Sequence, residues 1–249
     1  MTTLALYSIK GGVGKTAAAV NLAYLTAQAG AKTLICDLDP QSSATYYFRV
    51  KPKLKAKARG LIKPGQAIDR SIKGTDYENL DLLPAEFNHR NLAAIFDRLK
   101  RSKQRLQKIL KPLQAEYDVI ILDCPPNINL LAENVFNVAD HILVPLIPTT
   151  LSVRTHRQLL NFFKKQNYDT RKIYAFFSMV DRRKKLHVEL SSLVTQEFKR
   201  VLQSPIPYLS QIEQMGLHRE PVPAFSPNSA ASKSYQALWA EIQACVLSA

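Results

Sequence analysis

Seven consecutive residues, Lys10-Gly11-Gly12-Val13-Gly14-Lys15-Thr16, place two lysines and a hydroxyl in one glycine-rich stretch. Glycines let a backbone turn tightly, so that successive N–H groups point at phosphate oxygens. A helix starting where such a loop ends adds the positive end of its dipole. On this reading Lys10, Gly11, Gly12, Val13, Gly14, Lys15, Thr16 and Ala17 surround the phosphates of a nucleotide. The Lys15 ammonium would hold the terminal phosphates and the Thr16 hydroxyl would ligate Mg²⁺. The general pattern GxxxxGK[ST] is not met, because its first glycine position holds Ile9 and a second lysine stands at position 10. Asp123 ends an apolar run, and an aspartate so placed beside a triphosphate can hold Mg²⁺ through water. Asp37 and Asp39 follow a second apolar run. Two apart on a strand, they share a face but differ in depth, so they cannot serve the site equally.

These residues need a scaffold that brings strand ends together. Short apolar runs at 4–8, 33–36, 80–83, 119–122, 141–144 and 173–177 alternate with helical patterns at 16–29, 91–111, 129–137, 152–166, 186–202 and 229–246. That rhythm predicts an α/β fold with a doubly wound, mainly parallel sheet. Ile120, Ile121 and Leu122 are apolar at successive positions, so helices should cover both faces of the sheet. In the second helical pattern Leu92, Ile95, Phe96, Leu99, Leu106, Ile109 and Leu110 recur at helical spacing and should form an inward stripe. Residues 49–63 are the least regular, with seven basic side chains, and read as a surface loop or short helices. No internal repeat or linker is visible, and residues 1–249 are expected to form one domain.

Composition narrows the function classes. The 249 residues include 46% apolar and 22% charged side chains, which suits a globular chain and neither a disordered nor a fibrous one. The three cysteines, Cys36, Cys124 and Cys245, are widely spaced and contain no CxxC pair, so no disulfide framework or zinc site is expected. No apolar run approaches the roughly 20 residues that span a bilayer, and no secretory leader pattern opens the chain, so a cytoplasmic protein is expected. Thirty-four Lys+Arg against 20 Asp+Glu leave a net charge of +14, a field that favours polyanionic partners such as nucleic acid or an anionic membrane. Surplus lysine can also serve solubility alone.

The KGGVGKT loop resembles the deviant Walker A motif of the ParA/MinD family of P-loop ATPases. Three further segments carry the likeness. LICDLDPQSS at 34–43 resembles the second acidic motif of ParA-type partition ATPases. YDVIILDCPP at 117–126 is similar to their Walker B strand and its following turn, and SPNSAASKSY at 226–235 to their closing loop and last helix. The likeness spans essentially the whole chain. It implies a P-loop fold, Mg²⁺-dependent ATP hydrolysis and a homodimer formed on ATP binding. It also implies that Lys10 reaches the partner subunit's phosphates in trans. Asp39 would orient the attacking water beside the metal, while Asp37 would assist near the metal or hydrogen-bond the loop. Thr16, Asp39 and Asp123 are thus the metal set, and Lys10, Lys15 and Asp39 the catalytic one. The chain departs from the family at Ala17, where a second threonine is usual, and at Ser42-Ser43, where glycine is common.

The resemblance also implies DNA binding without sequence preference, nucleoid association, and a ParB-like or adaptor activator. Arg182, Arg183, Lys184 and Lys185, together with Lys199 and Arg200 at the end of the next helix and with Arg219, are the expected DNA contacts. A solvated helix face is the alternative for any one of these clusters. A MinD-like membrane-associated ATPase is a second reading, but the end of the chain has no basic residue after Lys233, so no stable membrane association is expected. Relatives that bridge an iron–sulfur cluster need two suitably placed cysteines, whereas Cys36 and Cys124 sit beside aspartates on core strands. Tyrosine-kinase relatives carry a terminal tyrosine cluster that is absent here, and a scaffold that binds nucleotide without hydrolysis stays open. No helix-turn-helix precedes the first strand, so sequence-specific repression is not expected.

Overall fold

Val119–Asp123 reads Val-Ile-Ile-Leu-Asp, and all five residues are buried. A strand can be apolar on successive positions only where both of its faces are covered. The computed structural model describes residues 1–51, 71–85 and 102–247, and within them this strand lies inside an eight-stranded sheet. The strands are β1 (Thr2–Leu6), β2 (Thr33–Asp37), β3 (Lys73–Gly74), β4 (Leu80–Leu83), β5 (Val119–Asp123), β6 (His141–Leu146), β7 (Ile173–Phe177) and β8 (Val201–Leu202). Their order across the sheet is β3-β4-β2-β5-β1-β6-β7-β8. Every neighbouring pair is parallel except β3 with β4.

Alternation along β1 shows how the two faces are filled. Leu4 and Leu6 point to the side occupied by α1 (Lys15–Gln28), whose Ala19, Val20 and Leu22 pack there with Tyr235 and Trp239 of a C-terminal helix at Ala230–Ile242. Ala5 and Tyr7 point to the other side. There they meet three helices that follow β5, β6 and β7, and these contribute Phe136, Phe163 and Val194 respectively. The chain is therefore doubly wound, as its alternating pattern predicts. Each large apolar side chain so buried stabilises the fold by about 1.5–3 kcal/mol.

The remaining helices are α2 (Ser43–Tyr47), α3 (Arg105–Leu110), α4 (Leu130–Val138), α5 (Thr150–Lys165), α6 (Lys185–Glu197), α7 (Ser210–Glu213), α8 (Met215–His218), α9 (Val222–Phe225) and α10 (Ala230–Ile242). Helix α1 stops just before Gly30, whose φ of 90° provides the left-handed exit that ends many helices. The six expected strands are present. Two more, β3 and β8, are too short to leave a periodic signal.

The helix expected at 186–202 ends instead at Glu197, and Phe198 turns to extended backbone. Val194, Phe198, Val201 and Leu202 have helical spacing. Val201 and Leu202 nevertheless pair with Ala175 and Phe176 on the open edge of β7, so tertiary pairing overrides the local pattern. Lys199 and Arg200 accordingly lie in the turn before β8 and do not end a helix. Of the stripe expected over 91–111, Arg105–Leu110 is α-helical and buries Leu106 and Leu110. Its members Leu92, Ile95, Phe96 and Leu99 fall outside the described residues, as does most of the basic segment 49–63.

Candidate functional site

Strand β1 delivers the chain into the glycine-rich loop at the carboxyl end of the sheet. Gly12 and Gly14 both have positive φ, at 69° and 86°, which side-chain-bearing residues rarely adopt. A Cβ at Gly14 would also lie 2.9 Å from the Ser178 hydroxyl oxygen. Gly14 caps α1 without a side-chain hydrogen bond, and no acidic residue occupies the helix's first turn. The loop N–H groups and the positive helix end are thus left for an anion.

Lys15 opens that helix and is only 6% exposed. Its Nζ donates to the Lys10 carbonyl at 3.4 Å. Burial lowers its pKa, while the carboxylates of Asp123 and Asp39 pull it back up. Thr16 and Ala17 are half-buried on the same turn and line a cleft of about 690 Å³ together with Gly11, Gly12 and Asp39. Lys10 is half-buried at the loop's entrance, and its backbone N–H donates to the Ser8 hydroxyl at 3.2 Å. Val13 is buried beneath the loop.

Three aspartates lie at or just beyond the ends of two neighbouring strands. Asp37 is fully buried, and one carboxylate oxygen accepts from the Thr45 N–H at 2.8 Å and from the Thr45 hydroxyl at 2.7 Å. Its other oxygen accepts from the Asp39 N–H at 3.2 Å. Burial pushes its pKa up to about 6 against the pull of those donors. Of the two roles left open for Asp37, its geometry is that of a loop anchor. Asp39 is half-buried at the cleft, with one oxygen accepting from the Gln41 N–H at 3.0 Å.

Asp123 contrasts with both. It is fully buried, and neither carboxylate oxygen has a partner of hydrogen-bond geometry, although the Thr16 hydroxyl is near enough to favour its charged form. Burial first, and Asp37 next, raise its pKa well above the usual carboxylate range. A buried carboxylate without a partner is costly unless a cation or solvent completes its shell. The Thr16 hydroxyl and Asp123 carboxylate offer hard oxygen ligands, which suit Mg²⁺. Among the described residues no three His, Cys, Asp or Glu side chains converge on a metal position. A cation here would therefore complete its shell with phosphate and water oxygens, as Mg²⁺ usually does.

Sequence reading missed the far wall of the cleft. Tyr47, Asn127, Met179, Ile212 and Glu213 line it, brought from four separate segments by strands that all end on one side. The strand order reverses around β1, where open α/β sheets place their ligands. The Pro125–Pro126 turn beside the acidic strand, and Pro40, Gln41 and Ser43 after β2, line the cleft from within recognisable motifs. Cys36 and Cys124 are buried, and burial pushes both thiols up.

The basic residues expected to touch DNA fall into three places. Arg182, Arg183 and Lys184 are exposed on the loop after β7 and Lys185 is exposed at the start of α6, at the same end of the sheet as the cleft. Arg183 pairs with Asp181 at 2.9 Å and Lys185 with Glu189 at 3.5 Å. Lys199 and Arg200 lie beyond the other end of α6, and the Arg200 guanidinium sits 5.8 Å over the Tyr174 ring. Helix α6 starts at Lys185, the last of the first group, and its thirteen residues place the second group about 20 Å away at 1.5 Å per residue. Arg219 is a clamp: its guanidinium lies 4.4 Å over the Tyr46 ring, and its Nε donates to the Tyr46 carbonyl at 3.0 Å.

Comparison with known proteins agrees with this architecture. A family model described as an AAA domain matches residues 1–175. The chromosome-partitioning ATPase Soj of Treponema pallidum is 30% identical over 252 residues, covering 97% of each chain. A plasmid partition protein of Borrelia burgdorferi, solved with AMPPNP bound, superposes with a TM-score of 0.85 at 23% identity, covering 98% of this chain and 99% of that one. Cobyrinic acid a,c-diamide synthase of Mycobacterium smegmatis, solved with ADP and magnesium, superposes with a TM-score of 0.75 at 27% identity, over 90% of this chain and 94% of that one. A glycine loop, paired acidic strands and full-length likeness to Soj lead to one assignment: the chain belongs to the ParA-type partition ATPases.

Proposed function

We propose that this chain is a Mg²⁺-dependent ATPase whose ATP-bound homodimer holds DNA without sequence preference and positions a cargo, with turnover stimulated by a ParB-like or adaptor protein. The observation that carries the nucleotide part is the partnerless Asp123 carboxylate, buried beside Lys15 and Thr16 under an uncapped helix start. When bound, Mg²⁺ would neutralise charge on the β- and γ-phosphates. Thr16 and Asp123 would hold it, with Asp39 beside it. Gly11 to Ala17 would cradle phosphate oxygens, and Lys15 would offset charge that grows as the terminal bond breaks. Asp39, at the cleft surface, would orient the attacking water. Lys10, at the loop's entrance, would reach the phosphates of a second copy, so that ATP bridges the dimer.

For DNA, support comes from the exposed 182–185 loop, which shares the cleft's end of the sheet, and from the net charge of +14. Lys199 and Arg200 face a different side and would make at most separate phosphate contacts. The membrane reading is less well supported. Among the described residues no helix is long and apolar enough to cross a bilayer, and α10 buries Tyr235, Leu238, Trp239 and Ile242 in the core. A cytoplasmic, nucleoid-associated protein fits these features.

Sedimentation with AMPPNP, and mobility shifts on two unrelated duplexes with ADP and with ATP beside a liposome pull-down, test the reading. Dimers in AMPPNP and ATP-dependent retention of both duplexes are expected. A monomer in AMPPNP, equal retention with either nucleotide, or ATP-dependent liposome binding without DNA retention overturns it.

A further inference from the structure

Between the phosphate loop and the basic loop stands a single residue with an unusual backbone. Met179 has φ of 54°, in the left-handed region that unbranched side chains enter only when their surroundings hold them there. It is fixed from both sides. On one side the Ser178 N–H donates to the Leu146 carbonyl at 2.9 Å, tying the end of β7 to β6. On the other, the Val180 N–H donates to the Ile206 carbonyl at 3.1 Å, and the Tyr208 N–H to the Val180 carbonyl at 3.0 Å. Met179 is thus the one position between two anchored segments where the chain can change direction.

Its side chain faces the nucleotide cleft. The Met179 methyl carbon lies 3.9 Å from the place a Gly14 Cβ would occupy, next to the Ser178 hydroxyl under the same glycine. Two residues later the basic loop begins, and it is tightly folded. The Asp181 N–H donates to Nδ1 of the buried His187 at 3.1 Å. The Asp181 carboxylate accepts from the Arg183 N–H at 3.1 Å and from its guanidinium at 2.9 and 3.0 Å, and the Lys184 N–H donates to the Asp181 carbonyl at 3.1 Å. Asp181 therefore organises the loop, and a rotation at Met179 reaches it by shifting Val180 together with Ile206 and Tyr208, which hold the Val180 backbone.

We infer that Met179 is a positioning residue, the joint through which the occupant of the phosphate-loop cleft sets the conformation of the basic loop at 181–187. The inference rests on the proposed nucleotide binding and deepens it by naming the element that carries the signal. A nucleotide whose phosphates settle against Gly14 alters the packing that holds the Met179 side chain. Left-handed backbone is strained for a methionine, so a change in the packing that holds it would release Met179 towards an ordinary negative φ and reorient Asp181 and the cations it organises.

Amide hydrogen exchange over 181–187 in the full chain reads this coupling without using DNA. The proteins to compare are wild type, Met179→Gly, Met179→Asn and Met179→Leu, each without nucleotide and at saturating AMPPNP. Gly and Asn both accept left-handed backbone, so two independent variants lose the side chain while keeping the native turn available, and circular dichroism verifies folding. In wild type, AMPPNP should change protection of the loop amides by about tenfold or more. In Met179→Gly and Met179→Asn that response should disappear, and Met179→Leu, which restores bulk, should recover it. Loop protection that ignores AMPPNP in wild type, or that responds equally in both shortened variants, overturns the inference. Calorimetry with AMPPNP separates this failure from that of the nucleotide reading: binding without a loop response refutes the joint alone, whereas absent binding refutes both. Absent DNA retention refutes only the proposed DNA function.

Discussion

Asp37 and Asp123 are register partners on the neighbouring parallel strands β2 and β5, yet only Asp37 has hydrogen-bond donors. Two buried carboxylates side by side repel, and after burial Asp37 is the next cause that raises the pKa of Asp123. Thr45 anchors Asp37 from the start of α2, which leaves the Asp123 carboxylate without a matching anchor beside Lys15 and Thr16. One acidic residue holds the scaffold so that the other can be offered to a ligand.

Removing the Thr45 hydroxyl should therefore cost stability. It donates to Asp37 and accepts from the Ala85 N–H at 3.0 Å. Thr45→Val leaves a buried carboxylate short of one donor and a buried amide without an acceptor, for a loss of about 3 kcal/mol. Thr45→Ser should restore most of it. Urea unfolding of the three proteins measures the difference, and a Val variant as stable as wild type refutes the anchor.

At the phosphate loop, Lys15→Ala should abolish ATP binding because Lys15 is the buried cation acting on Asp123 and the one proposed to offset the terminal phosphates. Asp39→Ala should bind ATP and hydrolyse it at least about a hundredfold more slowly, the scale of losing a water-positioning group. Calorimetry and single-turnover hydrolysis check the pair. Normal ATP affinity in the lysine variant would contradict the assignment.

Gly14→Ala should fail for steric reasons. Its Cβ would press on the Ser178 hydroxyl, and its φ of 86° is strained for alanine. We expect a loss of about 1–3 kcal/mol from strain together with weak nucleotide binding. Pairing it with Ser178→Gly relieves the clash but not the backbone strain, so partial recovery of thermal stability is the expected result.

The two basic groups should separate in salt titrations. Arg182→Ala with Lys184→Ala should lower the slope of log affinity against log salt by about two per subunit, at roughly 0.9 per phosphate contact. Lys199→Ala with Arg200→Ala, at the opposite pole of α6, should leave the ATP-dependent part of DNA affinity within about threefold of wild type, as expected for residues outside that contact. Equal losses from both pairs would show that DNA reaches both ends of the helix.

Acid stability should depend on His156. Its ring is buried against Phe198, its Nδ1 has no partner, and burial lowers its pKa to about 4. The unfolded chain takes up a proton at the ordinary 6.5 while the folded chain resists until about 4, so stability from this group is present above pH 6.5 and lost between about 6.5 and 4. The loss approaches about 3 kcal/mol, at 1.36 per pKa unit. His156→Leu should flatten that limb in thermal melts from pH 7 to pH 4, and an unchanged limb would refute the assignment.

Much of this molecule is written locally. The glycine loop needs positive φ, and only glycine supplies it cheaply, so Lys10 to Thr16 announces itself. The buried runs of β1, β2 and β5 are equally plain because both faces must be apolar. The far wall of the cleft was illegible because Met179, Ile212 and Glu213 reach it only through strand order, which no local pattern encodes. Family resemblance favoured Asp39 for the water, but which of its two roles Asp37 fills was legible only once Thr45 was seen to face it. The scattering of the basic residues follows from the end of α6 at Glu197. There a helical spacing persists in the sequence, but pairing with β7 takes the backbone away.

The sheet's two outermost strands have a further consequence. β3 and β8 are each two residues long, and β3 runs against the direction of its neighbour. Long open edges recruit strands from other molecules and seed aggregation, whereas short ones offer no template to extend. For a protein proposed to meet a second copy across ATP, such blunt margins guard against backbone-to-backbone polymerisation. Contact between copies is thereby left to side chains and to nucleotide.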